Sequence, residues 1–299
     1  MEQIKIGTLI SADEAMSIIP DITDYGFETF SITFWKTIGK TDIKELAKRL
    51  TDYLAPKGIT ISSLSIFTNP LSDSTEFSDA VKSWETLIDN ASLFGTNLVT
   101  GFTGRVIDKS IDDSINKFQQ VFGELSKRAA SKGVKIAFEN CTMAGTWEKG
   151  NWNIAHNPAA WELMFNALPE DNLGLQWEPC HQMVQLIDPI PQLKKWAGKI
   201  FNVHGKDATI DWDIIKKYGI GGYKQFAWHR TPGFGDSNWT DIISILRMNN
   251  YTGSIDIEGY HDPVYNGKLE LTGQVHALNY LKQCRGGNFI ENPVGWKDR

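Results

Sequence analysis

Residues 110–140, SIDDSINKFQQVFGELSKRAASKGVKIAFEN, contain one complete unit of the pattern that decides the fold. The part before Gly133 spaces its apolar residues as an amphipathic helix does, and VKIAFEN after it is a short run with strand character. Gly133 lies where a left-handed cap at the end of a helix is expected. The stretch therefore predicts a helix that leads into a strand of a parallel sheet.

The same alternation extends along the whole chain, and Gly26, Gly58 and Gly95 also end predicted helices just before a strand. Eight strands are predicted, at 4–9, 27–34, 59–67, 97–102, 134–140, 172–178, 200–206 and 254–258. Eight units fit a closed (β/α)8 TIM barrel better than an open sheet, because closure gives both end strands a neighbour. We expect one α/β barrel domain over residues 1–285 and a C-terminal extension over 286–299.

Composition and charge limit the class of function. Hydrophobic residues make up 41% of the 299 residues, which is enough to bury a large core. Thirty basic and thirty-six acidic residues give a net charge of −6, which disfavours nucleic acid as a partner. The chain lacks the roughly 18-residue apolar run of a membrane span and the pattern of a signal peptide. We therefore expect a cytoplasmic protein with no membrane partner, and a homo-oligomer stays open.

Some common chemical signatures are missing from the sequence. Cys141, Cys180 and Cys284 are too scattered for a disulfide framework and form no CxxC pair, so we expect reduced thiols. Neither of the glycine-rich phosphate loops, GxGxxG and GxxxxGK[ST], is found. The Rossmann and P-loop classes are therefore disfavoured.

Polar residues collect at the ends of four strands in the second half of the chain. Active sites of TIM barrels lie at the carboxyl ends of the strands. The residues at these positions are Glu139, Glu178, His204 and Glu258. Three carboxylates in one place repel one another unless a cation neutralises them, and this donor set suits Mn²⁺, Mg²⁺ or Co²⁺ as well as Zn²⁺. The sequence predicts one divalent metal ion held by these four residues.

Strand periodicity also predicts a second polar layer, two residues below the ligands. Gln176, Asn202 and Asp256 should face the inside of the barrel there. Since a buried polar group needs a partner, we expect at least one of them to hydrogen-bond a ligand or its neighbour and orient it.

Six ordered motifs in the last two thirds of the chain resemble a known family. They are AFENC (137–141), NIAHNPAAWELMF (153–165), LGLQWEPCHQMVQ (173–185), IFNVHGKDATID (200–211), PGFGDSNW (232–239) and SIDIEG (254–259). Together they resemble the metal-dependent sugar phosphate isomerase/epimerase family with a xylose isomerase-like TIM barrel. The resemblance implies the same four metal ligands, and it places His181, Lys206 and Arg230 in the substrate pocket. The family usually carries Asp-Pro-x-His after the sixth strand, where this chain has Glu178-Pro179-Cys180-His181.

The resemblance implies an enzyme that acts on a small sugar. In the expected reaction, Glu139 and Glu258 act as base and acid and move a proton next to a carbonyl through a metal-stabilised enediolate. A dehydratase or lyase that uses the same metal site is the alternative, with His181 or His229 as the general acid. A non-catalytic sugar-binding barrel is a third hypothesis. A nuclease of the endonuclease IV type is disfavoured, because the early strands end in Phe34-Trp35, Phe67-Thr68 and Phe102-Thr103 without metal ligands.

Aromatic residues in the predicted loops are candidates for contacts with the C–H faces of a sugar. Trp35 and Trp147 are the main candidates, together with Phe67, Phe102, Trp152 and Trp228, and packing in the core is the alternative role for each of them. Trp161 and Trp177 are expected in the core. Arg230, in WHRTPGFGDSNW, is expected on a glycine-rich loop, where it closes over the substrate or, alternatively, forms a surface salt bridge.

Overall fold

The fold is built around eight parallel strands, in a computed structural model that describes residues 3–293, 295 and 296. The barrel strands are β1 (Lys5–Ser11), β2 (Thr29–Trp35), β3 (Thr60–Phe67), β4 (Leu98–Gly101), β5 (Lys135–Glu139), β6 (Leu173–Trp177), β7 (Ile200–Gly205) and β10 (Ser254–Ile257). They follow one another around the barrel in this order, and β1 closes it by pairing with both β2 and β10. The predicted (β/α)8 barrel is confirmed, with each strand within two residues of its predicted bounds.

The helices surround the barrel and cover its outer face. They are α1 (Ala15–Ile22), α2 (Ile43–Leu54), α3 (Ala80–Asn90), α4 (Ile111–Ala130), α5 (Pro158–Ala167), α6 (Cys180–Met183), α7 (Pro189–Trp196), α8 (Trp212–Tyr218), α9 (Trp239–Met248) and α10 (Glu270–Cys284). Polar side chains cap several of them at the first turn; Ser110 accepts a hydrogen bond from the backbone N–H of Asp113 at the start of α4. Among the residues that the structure describes, no helix is both long and apolar enough to cross a membrane.

A short antiparallel hairpin beside the barrel is the element that the sequence analysis missed. Its strands are β8 (Asp207–Ile210) and β9 (Ala227–Arg230), and Asp207 pairs with Arg230. The expectation that Arg230 lies on a glycine-rich loop is therefore wrong, because this residue ends a strand and the glycines follow it. The four-residue β8 begins only two residues after β7, so its strand character could not be separated from that of β7 in the sequence.

Apolar packing between sheet and helices and polar hydrogen bonds inside the barrel hold the barrel together. Between sheet and helices the core is apolar: Phe138 on β5 contacts Phe118 and Phe122 of α4, and Trp161 and Trp177 are fully buried, as predicted. Gly133 ends the α4 segment with a positive φ of 67°, the left-handed conformation expected of this cap.

Inside the barrel, the predicted second layer of polar side chains is joined by hydrogen bonds. Gln176 donates to Asn202 (2.8 Å), and Asn202 donates to Ser254 (3.0 Å) and Asp256 (2.9 Å). The inward orientation is confirmed. The hydrogen bond expected from this layer to a candidate ligand is not found in the described part of the chain; these side chains bond to one another instead, and Gln176 Oε1 and Asp256 Oδ1 have no partner among the described residues.

The domain bounds stay an expectation. The last helix ends at Cys284, next to the predicted boundary at residue 285. In the predicted C-terminal extension, residues 294 and 297–299 lie outside the described residues, as do residues 1 and 2 of the predicted domain.

Candidate active site

Four side chains from four neighbouring strands meet at the carboxyl end of the barrel. Glu139 ends β5, Glu178 follows β6, His204 lies on β7 and Glu258 follows β10. One ligand atom of each lies within 4.8 Å of the others. The side chains of Glu178 and His204 are fully buried and that of Glu258 is 14% exposed. The strand pattern predicted this convergence, and the longer side chain of Glu178 still reaches the group.

Two buried asparagines fix the backbone around these carboxylates. The Asn140 side chain donates to the carbonyl of Glu178 and accepts from its N–H, which joins the ends of β5 and β6. Asn153 donates to the carbonyls of Glu139 and Cys141, both at 2.8 Å. Glu139 and Glu178 are therefore held in place by bonds to their main chain, and their carboxylates stay free for other partners.

The polar atoms of this group fit a cation. No hydrogen-bond partner is found in the described part of the chain for either carboxylate oxygen of Glu178, either ring nitrogen of His204 or Oε2 of Glu258, although all are buried. His204 Nδ1 lies 3.3 Å from Glu139 and 3.1 Å from Glu258 without the geometry of a hydrogen bond. Burying so many unpaired groups is costly, and a divalent ion would satisfy them together. Three carboxylates and one imidazole suit Mn²⁺, Mg²⁺, Co²⁺ or Zn²⁺.

Without a metal ion, the protonated side chains of His204 and Lys206 balance the negative charge of the carboxylates. Burial opposes a proton on His204, but the carboxylates of Glu139 and Glu258 outweigh burial and raise the pKa of His204 to about 9. Burial also opposes the charge of Lys206, and Glu258 outweighs it and raises the pKa of Lys206. Burial raises the pKa of Glu258, but Lys206 and His204 hold it below its usual range. A metal ion would therefore displace the proton of His204.

A second group lies next to the first. Ligand atoms of Cys180, His181 and His229 lie within 4.8 Å of one another, and His181 Nε2 is 2.8 Å from Glu178 Oε1, again without the geometry of a hydrogen bond. Burial and then the charge of Lys206 lower the pKa of His181 well below its usual value, and the same causes lower the pKa of His229 to about 4. The Lys206 ammonium disfavours a further cation here.

The other candidates for substrate contact, Arg230, Trp147 and Trp35, belong to neither of these two groups. Arg230 Nε donates to Asp262 at 3.4 Å, which holds the guanidinium beside the hairpin. Trp147 donates its indole N–H to Asp112 at the start of α4, so its polar edge already has a partner. Trp35 is 56% exposed at the end of β2. Their contacts with a substrate stay predictions, as do those of His181, Lys206 and His229.

Arg105 is a residue of this region that sequence reasoning missed. It is fully buried, and its guanidinium donates to the carbonyls of Lys109, Thr146 and Trp147. It joins the loops that follow β4 and β5. A lone arginine in a loop resembles a surface residue in the sequence, whereas Asn140 could have been found from its position next to Glu139 in AFENC.

The fold and the site define a class: a parallel TIM barrel with a group of carboxylates and an imidazole at the carboxyl ends of its strands. The family model described as Xylose isomerase-like TIM barrel matches residues 19–284, and the chain belongs to this family.

An inosose dehydratase from Clostridium beijerinckii is 27% identical over 182 residues, 60% of this chain and 55% of that protein. The chain therefore spans about half the length of the curated relatives it matches. Solved structures with a similar fold cover nearly all of it. A xylose isomerase domain protein from Planctomyces limnophilus has a TM-score of 0.71 and 20% identity, covering 95% of this chain and 99% of that one.

Two further structures carry informative names. An L-ribulose 3-epimerase has a TM-score of 0.67 and 16% identity, with 96% of each chain covered. The IolI protein, crystallised with a zinc atom, has a TM-score of 0.64 and 19% identity, covering 94% of this chain and 96% of that one. At these identities the likeness shows the fold.

Proposed function

We propose that the protein is a metal-dependent isomerase or epimerase that moves a proton next to the carbonyl of a sugar or keto-sugar. The observation that carries the proposal is the convergence of Glu139, Glu178, His204 and Glu258, whose buried ligand atoms lie within 4.8 Å of one another. The names of the relatives, an inosose dehydratase and sugar epimerases, support a reaction of this kind.

These four residues would hold one divalent ion, and the zinc atom in the IolI structure supports such a site in this fold. When bound, a divalent ion supplies Lewis-acid stabilisation of the negative charge of an enediolate. We prefer Mn²⁺ for the first tests because of the oxygen-rich donor set. A cytoplasmic location and a homo-oligomer remain predictions.

The chain's own carboxylates would move the proton. Glu139 and Glu258 lie at the two ends of the group, separated around the barrel by β6 and β7, and we expect them to approach a bound substrate from opposite sides. One, as the carboxylate, takes the proton from the carbon next to the carbonyl, and the other, which enters the step as the carboxylic acid, gives its proton to the opposite face of that carbon, so the two groups exchange protonation states. Lys206, held at Glu258, offers an ammonium to a substrate oxygen.

Dehydration is the second candidate reaction, favoured by the name of the Clostridium relative. It begins with the same proton abstraction but also expels a hydroxyl group, which must receive a proton as it leaves. His181 lies 2.8 Å from Glu178 and its ring meets that of His229 edge-on at 5.0 Å, which makes these two histidines the candidates for this donor. The two reactions give different products from one enzyme–substrate mixture.

One experiment tests the proposal and separates the two reactions. The Mn²⁺-loaded protein is incubated in D₂O with ketoses, keto-glycosides and inososes, and NMR follows the proton next to the carbonyl. Deuterium at that carbon in an isomer or epimer supports the proposal, and loss of water supports the dehydratase. Metal binding without exchange in any of these compounds would overturn both and leave a non-catalytic sugar-binding barrel.

A further inference from the structure

An exposed tryptophan marks the end of β2, on the side of the barrel mouth away from the carboxylates. Trp35 is 56% exposed, although it ends a strand of the barrel. The next residue, Lys36, has a φ of 63°, a left-handed conformation that a lysine rarely adopts. Such backbone strain is kept only where the surrounding structure imposes it, and it is common at binding sites.

Trp35 rests on a rigid aromatic support. Its ring stacks on Trp152 at 5.4 Å between centroids and 27° between planes. Trp152 in turn meets Phe77 and Phe102 edge-on, at 5.0 and 6.4 Å, and both phenylalanines are buried. We call Trp35, Trp152, Phe77 and Phe102 the aromatic wall. Because the inner members are immobilised, an incoming ring loses little entropy by ordering them.

The aromatic wall is tied to the site through one neighbouring residue. Asn153 follows Trp152 directly, is 1% exposed, and donates to the carbonyl of Glu139 at 2.8 Å. The side-chain amide oxygen of Asn153 also accepts a hydrogen bond from the hydroxyl of Thr103, the residue after Phe102. These two hydrogen bonds of Asn153 therefore fix the position of the neighbouring Trp152 relative to Glu139.

The wall favours an uncharged ligand. The charged group beside it, Lys36, is neutralised by Glu76 at 2.6 Å, and its ammonium lies 5.6 Å from the Trp152 ring centroid. An indole face attracts the C–H face of a sugar ring or another aromatic ring, whereas Lys36, the cation that lies against Trp152, is already paired with Glu76 and is not free for a phosphate.

We infer that Trp35 and Trp152 form a stacking subsite for the non-reacting, uncharged ring of a glycoside. This inference rests on the proposed function, in which the reacting carbonyl lies at the carboxylates. The substrate class is then a keto-glycoside with a second ring, in preference to a free ketose or a sugar phosphate.

The subsite can be tested with glucosides that do not react. Isothermal titration compares phenyl β-D-glucoside with methyl β-D-glucoside, which differ only in the second ring. We expect the wild-type protein to bind the phenyl glucoside about three- to ten-fold more tightly, the usual strength of an aromatic contact. Trp35→Ala should abolish this preference and Trp35→Phe should keep part of it.

Trp212→Ala is the matched control, since Trp212 is 55% exposed at the start of α8. It should keep the full preference. Equal binding of the two glucosides by the wild type, or equal loss in the Trp35 and Trp212 variants, would overturn the inference. So would a Trp35→Ala variant that changes the oligomeric state by light scattering without changing the preference, because the wall would then be a subunit contact.

The outcome is distinguishable from that of the proposed function. A preference for the phenyl glucoside that depends on Trp35, with no proton exchange in any keto-sugar, would remove the proposed reaction and leave the ring-stacking site. Exchange that is equally efficient for free ketoses and keto-glycosides, and unaffected by Trp35→Ala, would keep the reaction and overturn the subsite.

Discussion

Lys206 and Glu258 form an ion pair at the mouth of the barrel, with Nζ 2.5 Å from Oε1 and the lysine side chain 3% exposed. The pair occupies one oxygen of the carboxylate, and the other oxygen, Oε2, faces His204 at 3.1 Å. Glu258 can therefore serve a cation and Lys206 at the same time. The lysine adds a positive charge to a site that must also hold a metal ion, and this has a measurable consequence.

Replacing Lys206 by Met should destabilise the metal-free protein and strengthen metal binding. Removing one partner of a buried ion pair costs about 3–5 kcal/mol because the other charge stays buried. The same change removes repulsion between Lys206 and the bound ion. Thermal unfolding with and without Mn²⁺ measures both effects, and the shift on adding Mn²⁺ should be larger in the variant. A smaller shift would show that Lys206 does not lie close to the ion.

Removing a ligand should remove the metal ion and leave the barrel folded. Purified wild-type protein should bind about one divalent ion, and His204→Ala should lose most of this binding. Metal analysis after dialysis gives the stoichiometry, and circular dichroism checks the fold. His276→Ala is the control, because His276 packs against Phe234 and is not one of the four candidate ligands. Anomalous scattering that places the ion elsewhere would contradict the ligand assignment.

Glu139 and Glu258 should transfer protons on opposite faces of the substrate. Glu258→Gln should slow exchange of the proton next to the carbonyl by about 10²- to 10⁴-fold, the usual contribution of a positioned acid or base. Glu139→Gln should slow exchange to a similar extent, with the opposite stereochemical preference in what remains. Metal content is measured in both variants. Wild-type exchange rates in both fully loaded variants would exclude two-base chemistry.

Replacing Asn153 should lower both the stability of the protein and its affinity for a metal ion. Its side chain holds the carbonyls of Glu139 and Cys141 and accepts from Thr103. Asn153→Ala leaves these groups unpaired, so we expect a loss of about 2–4 kcal/mol in unfolding free energy and weaker metal binding. Asn151→Ala is the control in the same loop: it removes only an exposed hydrogen bond from the N–H of Asp108, which also donates to the Gly150 carbonyl, so it should change either quantity little. Urea unfolding and Mn²⁺ titration provide the measurements.

The other end of the barrel should show a pH-dependent ion pair. Burial raises the pKa of Glu28, but hydrogen bonds from Arg285 and from the N–H of Ile6 outweigh burial and lower it. Because the folded pKa is the lower one, the pair stabilises the protein above the unfolded pKa, and this contribution is lost as the pH falls through the folded value. Glu28→Gln should therefore cost about 1–3 kcal/mol at neutral pH, and the difference should shrink below about pH 4.

Urea unfolding of the wild type and of Glu28→Gln across this pH range checks the prediction. Asp52→Asn provides the comparison, because the Lys48–Asp52 pair is exposed and should contribute little at any pH. A constant difference between wild type and Glu28→Gln at all pH values would contradict the assigned cause.

The barrel and the convergence of four site residues could be predicted from the sequence. Helix and strand periodicities are local, and parallel strands in a closed barrel bring their carboxyl ends to one face. Once strands at 134–140, 172–178, 200–206 and 254–258 are recognised, alternation of side chains directs Glu139, Glu178, His204 and Glu258 towards that face. Repulsion among three carboxylates predicted the metal ion, and the resemblance to a family added the expected reaction and the residues of the substrate pocket.

The tertiary structure alone decided which side chains pair. Gln176, Asn202 and Asp256 face inward as predicted, yet they bond to one another and to Ser254, and no local pattern encodes that choice. The β8–β9 hairpin, the Lys206–Glu258 pair and the stacking of Trp35 on Trp152 likewise join residues far apart in the chain. The direction of a side chain follows from its own strand, whereas its partner depends on how separate loops and strands pack together.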